Sequence, residues 1–235
     1  MPDKLQILSG LAGVVNGHTG AAVAWHVIIF LVIVFLLAKK MPARLMVWLL
    51  GLSMASVGIF ALMSKNPFDG IVFIILFVAF TYFGTKATGA APETSAILFR
   101  IAGLLVIGFG LVYPHFLETG SWAKYLIAAP FGLIPCPTLS VATGFLILHR
   151  GYRSKGLMIT TILAGALYGL FGVFRLGVLL DVGLLAGTAV LFMFFLTTRR
   201  RLSAIGVQDK LREKDRDWDG AAAVRNERDR RHKGV

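Results

Sequence analysis

Residues 130–138 read Pro-Phe-Gly-Leu-Ile-Pro-Cys-Pro-Thr, inside an apolar stretch, 126–148, that is long enough to cross a bilayer. Three prolines in eight positions cannot share one regular helix. Each lacks an amide hydrogen, so the carbonyls of Leu126, Phe131 and Leu133, four residues earlier, lose their helical donors. In hydrocarbon an orphan backbone group costs on the order of 2–7 kcal/mol, because no water replaces the missing partner. A chain that carries such a break must shield it inside protein or use it to line a polar cavity. The expectation is an outer segment over 124–134, then a short inner helix that starts near Pro137 and runs to about His149. That helix would aim its amides and positive dipole end at Cys136 and Thr138.

The rest of the chain repeats the same apolar theme. Hydrophobic residues make up 57% of the 235, and charged residues only 15%, against about a quarter in soluble domains. Seven apolar segments stand out: 21–38, 45–63, 68–84, 96–113, 126–148, 156–174 and 178–196. At 1.5 Å per residue each suits a hydrocarbon core of about 30 Å. The fold class is therefore all-α, a polytopic transmembrane helical bundle over 1–198 followed by a basic tail over 199–235.

Charge sets the expected orientation. The net charge of +12 divides into +7 for residues 1–198 and +5 for the last 37. Ten basic residues, among them Lys39, Lys40, Arg150 and Arg199, fall on one side of alternating loops, and four (Lys4, Lys65, Lys124, Arg175) on the other. This bias places the amino terminus outside and the carboxyl terminus in the cytoplasm, and explains the basic excess better than nucleic-acid binding does. The partners it implies are the lipid bilayer and a membrane protein or a second copy of the chain. Lys4 alone precedes the first segment, so no cleavable signal peptide is expected. In the tail, Ala204, Val207, Leu211 and Trp218 share one face of a helix that could lie on the inner leaflet, with a solvated tail the plainer alternative; from Asp219 on, disorder is expected.

Small residues at four-residue spacing (Gly51 and Ala55, Gly165 and Gly169, Gly183 and Gly187) are expected to bring helices close within the monomer. The lone cysteine excludes an internal disulfide. The seventh segment has no lysine for a retinal Schiff base, and no Walker-A or Rossmann glycine pattern occurs. No two histidines stand three or four apart, so a zincin-like pair has no support.

The polar residues within or beside the apolar segments are the remaining candidates. Cys136 at the broken helix could serve a kink alone, a site for an ion or small ligand, or a reactive thiolate. His26 and Asp181 lie one or two turns inside their segments, where ionisable groups are costly and point to function by default. His26 could instead be a hydrogen-bonded link between helices, and Asp181 could pair with Arg175. Arg100 is expected to snorkel, with a counter-ion in the bundle the alternative. Asp69, His18 and Glu118 join the same end of the bundle. The expected ligand-binding set is Tyr113, His115, Cys136, Thr138 and Asp181, with metal and cofactor unassigned. A lone thiol without a base or orienting group falls short of a catalytic constellation, so an enzyme is the least supported class. The alternative to ligand binding or transport is a structural or accessory subunit of a membrane complex.

Tyr113-Pro114, then Phe131-Gly132-Leu133-Ile134-Pro135-Cys136-Pro137-Thr138, then Asp181-Val182-Gly183-Leu184, resembles an uncharacterised family of bacterial multi-pass membrane proteins, a domain of unknown function. The likeness covers roughly residues 20–198 and concentrates in 113–148. It implies a bacterial inner-membrane location and supplies no activity. Members often carry Gly-His between the two motifs, whereas this chain has Gly120-Ser121 and places His115 beside Tyr113-Pro114.

Overall fold

The computed structural model describes residues 3–38, 40–86, 94–150 and 154–198. The expectations for the tail after residue 198 lie outside these. Helices account for 81% of the described residues, and none of these residues is in a strand. They are α1 (Lys4–Gly17), α2 (Thr19–Leu37), α3 (Ala43–Met63), α4 (Pro67–Thr85), α5 (Ile97–Val112), α6 (Ala123–Ala128), α7 (Pro135–Leu148), α8 (Lys155–Leu170), continued by a π turn over Phe171–Leu176, and α9 (Asp181–Thr198). Contacts divide the chain into 1–194 and 195–235. Of the second unit only 195–198 are described, all helical.

Five helices are long and apolar enough to cross a membrane: α2, α3, α4, α8 with its π turn, and α9. The apolar α5 and α7 are shorter. Each of the seven apolar segments read from the sequence thus contains at least one helix. Helix α1 was not among them. It begins on an Asp3 cap and, through Val14 and Val15, packs with Leu117, Ala128, Leu133 and Ile134 over one end of the bundle.

The broken segment places its break at 129–134 and starts its second helix two residues earlier than expected, at Pro135. Pro135 and Pro137 therefore occupy the first and third positions of α7. A helix start already has surplus amides, so prolines there delete donors that would have lacked partners. Only the Cys136 amide remains of the first three, which weakens the dipole-end site expected there. Helices α6 and α7 hold 6 and 14 residues, and their rise sums to about 30 Å.

Helix α7 is the axis of the bundle: 12 of its 14 residues are buried. Helix α2 is its opposite, with only Ala22, Ile29 and Val32 buried. Glycine makes the tightest contacts. A β-carbon on Gly144 would stand 2.6 Å from the Gly103 carbonyl oxygen, and one on Gly110 2.7 Å from that of Pro137. So α5 and α7 meet backbone to backbone. On α8, Gly165 and Gly169 face Thr188 and Leu185 of α9, while Gly183 and Gly187 of α9 face Phe109 and Val106 of α5. These glycines pack within the monomer, as expected.

Adding a methyl group tests this packing directly. Gly144→Ala must push α5 from α7 and is expected to destabilise by about 1–3 kcal/mol, the usual range for overpacking. Gly108→Ala meets no atom within 4 Å, and should be neutral or stabilising by up to about 1 kcal/mol through helix propensity. Thermal unfolding of the detergent-purified proteins distinguishes them; equal melting points would refute the close approach.

Candidate functional site

The break closes on itself through one side chain. Thr138 Oγ1 accepts the Gly132 amide at 2.9 Å and donates to the Ile134 carbonyl at 2.8 Å. The Pro130 carbonyl takes the amides of Leu133 and Ile134 at 3.1 and 3.3 Å. Gly132 has φ +77°, a conformation that only glycine adopts without strain, and the Trp25 indole lies against its α-carbon. Trp25 is oriented by a 2.9 Å hydrogen bond to Ser56 Oγ. Helix α2 also supplies His26, whose ring nitrogens lie 2.9 Å from the carbonyl oxygens of Ala22 and Leu111. Leu111 stands near the end of α5, where Pro114 interrupts the helix and the His115 amide turns to Tyr113. His26 is thus the interhelical link that was the plainer of its two readings.

Next to the closed break lies a buried acid. Asp181, only 2% exposed, accepts the Tyr113 hydroxyl at 2.6 Å and the Cys136 thiol. Tyr113 caps α5, Cys136 is the second residue of α7, and Asp181 opens α9. The second carboxylate oxygen rests on Gly172 in the π turn, where any β-carbon would collide with it. Both the Gly177 and Val178 amides fold back onto the Gly172 carbonyl, and Gly177 reverses the chain at φ +69°. The π turn, a geometry common at functional sites, is what brings a glycine under the acid. Arg175 is exposed on that turn. Asp181 faces inward to Tyr113 and Cys136 instead of pairing across the turn.

A second acid–tyrosine pair lies within electrostatic reach of the thiol. Tyr168 of α8 donates to Asp69 Oδ1 at 2.8 Å, and Asn66 Nδ2 donates to Asp69 Oδ2 at 2.7 Å. Both carboxylates act electrostatically on Cys136. Of the expected set, Tyr113, Cys136 and Asp181 form one hydrogen-bonded group. His115 sits beside it, its ring 6.5 Å from that of Tyr113 and within the field of Asp181. Thr138 does not join them: it is fully buried and its hydroxyl is committed to the break. Tyr168 and Asn66 were missed. Asn66-Pro67 followed by Asp69 was the available signal for a capped helix start; a single tyrosine within an apolar segment is a weaker one.

Among the described residues, no group of three or more His, Cys, Asp or Glu is arranged to hold a metal ion. The chemistry on offer is a carboxylate served by two neutral donors, which can take or release a proton or bind a cation as those donors turn aside. No protein-family model, curated protein or solved structure matches the chain.

Two expectations follow. Thr138→Val keeps the shape but strands the Gly132 amide and the Ile134 carbonyl, so it should cost more than Tyr113→Phe; each stranded buried group is worth about 1–3 kcal/mol. Unfolding in denaturant measures both, and a Thr138→Val protein as stable as wild type would refute the closure. Burial holds the His115 imidazole below its ordinary value of 6.5, with Asp181 opposing in part. A histidine lowered in the folded state favours unfolding once the unfolded chain protonates. Stability should therefore fall as pH drops below 6.5 toward the lower folded value. His115→Gln should flatten melting temperature against pH in that window.

Proposed function

We propose that this chain is a multi-pass membrane protein that binds, and in doing so transports, an ion or small molecule at the break between α6 and α7. In this reading all seven apolar segments cross the bilayer, with the amino terminus outside and the carboxyl terminus in the cytoplasm. The bacterial inner-membrane setting follows from the motif resemblance. The ligand enters from the side of the 113–122 loop, toward Tyr113, His115, Cys136 and Asp181, with Thr138 holding the backbone around them.

One observation carries this reading: the Asp181 carboxylate is buried among apolar helices and held by Tyr113 and Cys136. A buried acid is costly to keep in hydrocarbon, and a chain built only to pack would do as well with an amide or an apolar side chain. The accessory-subunit reading has its own support in the self-contained closure by Thr138, which is what a purely structural bend requires.

Thermal unfolding of the purified full-length protein separates the two. The probes are sodium, potassium, ammonium and magnesium chlorides, each titrated at fixed pH, and the proton, titrated as pH. Ligand at 100 times its Kd stabilises by about 2.7 kcal/mol, so at least one probe should raise the melting temperature by several degrees. Asp181→Asn and Cys136→Ser are each expected to abolish that shift. A shift unchanged in both variants rejects the site, and no shift with any probe favours the accessory subunit.

A further inference from the structure

Seven residues after Asp181 on α9 comes Thr188, and seven after Cys136 on α7 comes Thr143. Seven residues make nearly two turns, a rise of about 10 Å, so each threonine lies beneath its counterpart on the same helix face. The second level involves the same helices as the first, α7, α8 and α9. The Thr143 methyl is 3.7 Å from the position of a β-carbon on Gly187, the neighbour of Thr188. The Thr188 hydroxyl fills the notch at Gly165 as the Asp181 carboxylate fills the one at Gly172. A polar level thus repeats about 10 Å deeper in the bundle.

The hydroxyls at this level differ from the others nearby. Thr138, Ser140 and Thr161 each donate to the carbonyl four residues back, at 2.8, 2.9 and 2.9 Å. Thr143 and Thr188, with 0% and 4% exposure, have hydroxyls with no hydrogen-bond partner among the described residues. Buried hydroxyls without partners are unfavourable and uncommon in folded chains. At one depth, Thr188 turns its hydroxyl to α8 and Thr143 its methyl to α9, and each hydroxyl marks a place for a small polar ligand. The pair is neutral, so its chemistry suits water rather than a metal ion. Between the two levels, Leu185 lies against Gly169 and Leu184 is fully buried, which fills the α8–α9 side with aliphatic atoms. The α7 side instead carries Cys136, Ser140 and Thr143 at four- and three-residue spacing, one polar group per turn.

We propose that the ion taken up at Asp181 is a proton, and that Ser140, turning its hydroxyl from the Cys136 carbonyl, and then water held at Thr143 and Thr188 carry it onward into the bundle. This rests on Asp181 being an ion-binding group. The carboxylate accepts a proton from the side of the 113–122 loop and releases it to water. Each hydroxyl or water along the route accepts one proton on its oxygen and gives up another, so none keeps the charge. The groups that face Asp181 are Tyr113 from α5, Cys136 from α7 and His115 from the loop; Asp69 and Tyr168 interact electrostatically with the thiol.

The full-length protein is reconstituted into phosphatidylcholine and phosphatidylglycerol vesicles that hold pyranine, with potassium and valinomycin clamping the potential, and the outside is acidified. Wild type is expected to acidify the lumen faster than protein-free vesicles, and Asp181→Asn to remove the excess. The isosteric double variant Thr143→Val with Thr188→Val should slow the excess by about a hundredfold, the lower end of what a positioned proton-transfer group contributes; serine at both positions should restore it. A wild-type rate equal to that of empty vesicles, or a double valine variant as fast as wild type, overturns the inference. Should the double variant fail to fold, Thr188→Val alone is read by the same criterion. Cation-dependent thermal shifts that vanish in Asp181→Asn, without proton flux, would leave ion binding standing and remove only the proton route.

Discussion

Within an apolar bundle a backbone amide or carbonyl at a helix break can turn only to its own chain, and the hydroxyl of Thr138 answers that need twice. It receives the Gly132 amide and donates to the Ile134 carbonyl, bridging the turn from one side to the other. Pro135 and Pro137 help from the other direction, because they delete amides at the one place in a helix where amides are in surplus. With the break closed, α7 can start inside the bundle and be surrounded on nearly all sides. The position of Cys136 follows from that start.

Missing side chains matter as much as those present. Gly103, Gly110 and Gly144 let α5 and α7 approach to backbone contact, which brings the end of α5, with Tyr113, beside the start of α7, with Cys136. Gly165 and Gly172 do the same for α8 and α9, with one difference. Their notches receive oxygen atoms, from Thr188 and Asp181. Close helix packing and polar placement are therefore the same feature here. Lipid offers no hydrophobic drive for helices to associate, so small residues and hydrogen bonds must carry it.

Much of this was legible residue by residue. The apolar segments announced the helices because their length and composition leave few alternatives. The proline cluster announced the break because proline lacks an amide hydrogen. Tyr113, Cys136 and Asp181 were picked from positions 45 and 68 residues apart, and they meet. Thr138 was taken for a ligand group because nothing in a linear reading tells that its hydroxyl would be consumed by a turn six residues back. Tyr168 with Asp69 went unread for a related reason: 99 residues separate them, and neither has a local partner that would reveal the other. Helix α1 carries Asn16, Ser9 and several glycines, so its helicity and its place over the break depend on what it packs against rather than on propensity.

The chain's own composition determined that it would be a set of apolar helices, one of them interrupted at Pro130–Thr138, because backbone hydrogen bonding in apolar surroundings permits little else. Which polar groups would face each other was decided only in three dimensions. That outcome depends on helix rotation and register, and these are set by glycine notches and a π turn at Phe171–Leu176 whose effect is felt on a neighbouring helix. A one-residue rotation, about 100°, would have turned Asp181 away from Tyr113 without altering any hydropathy pattern.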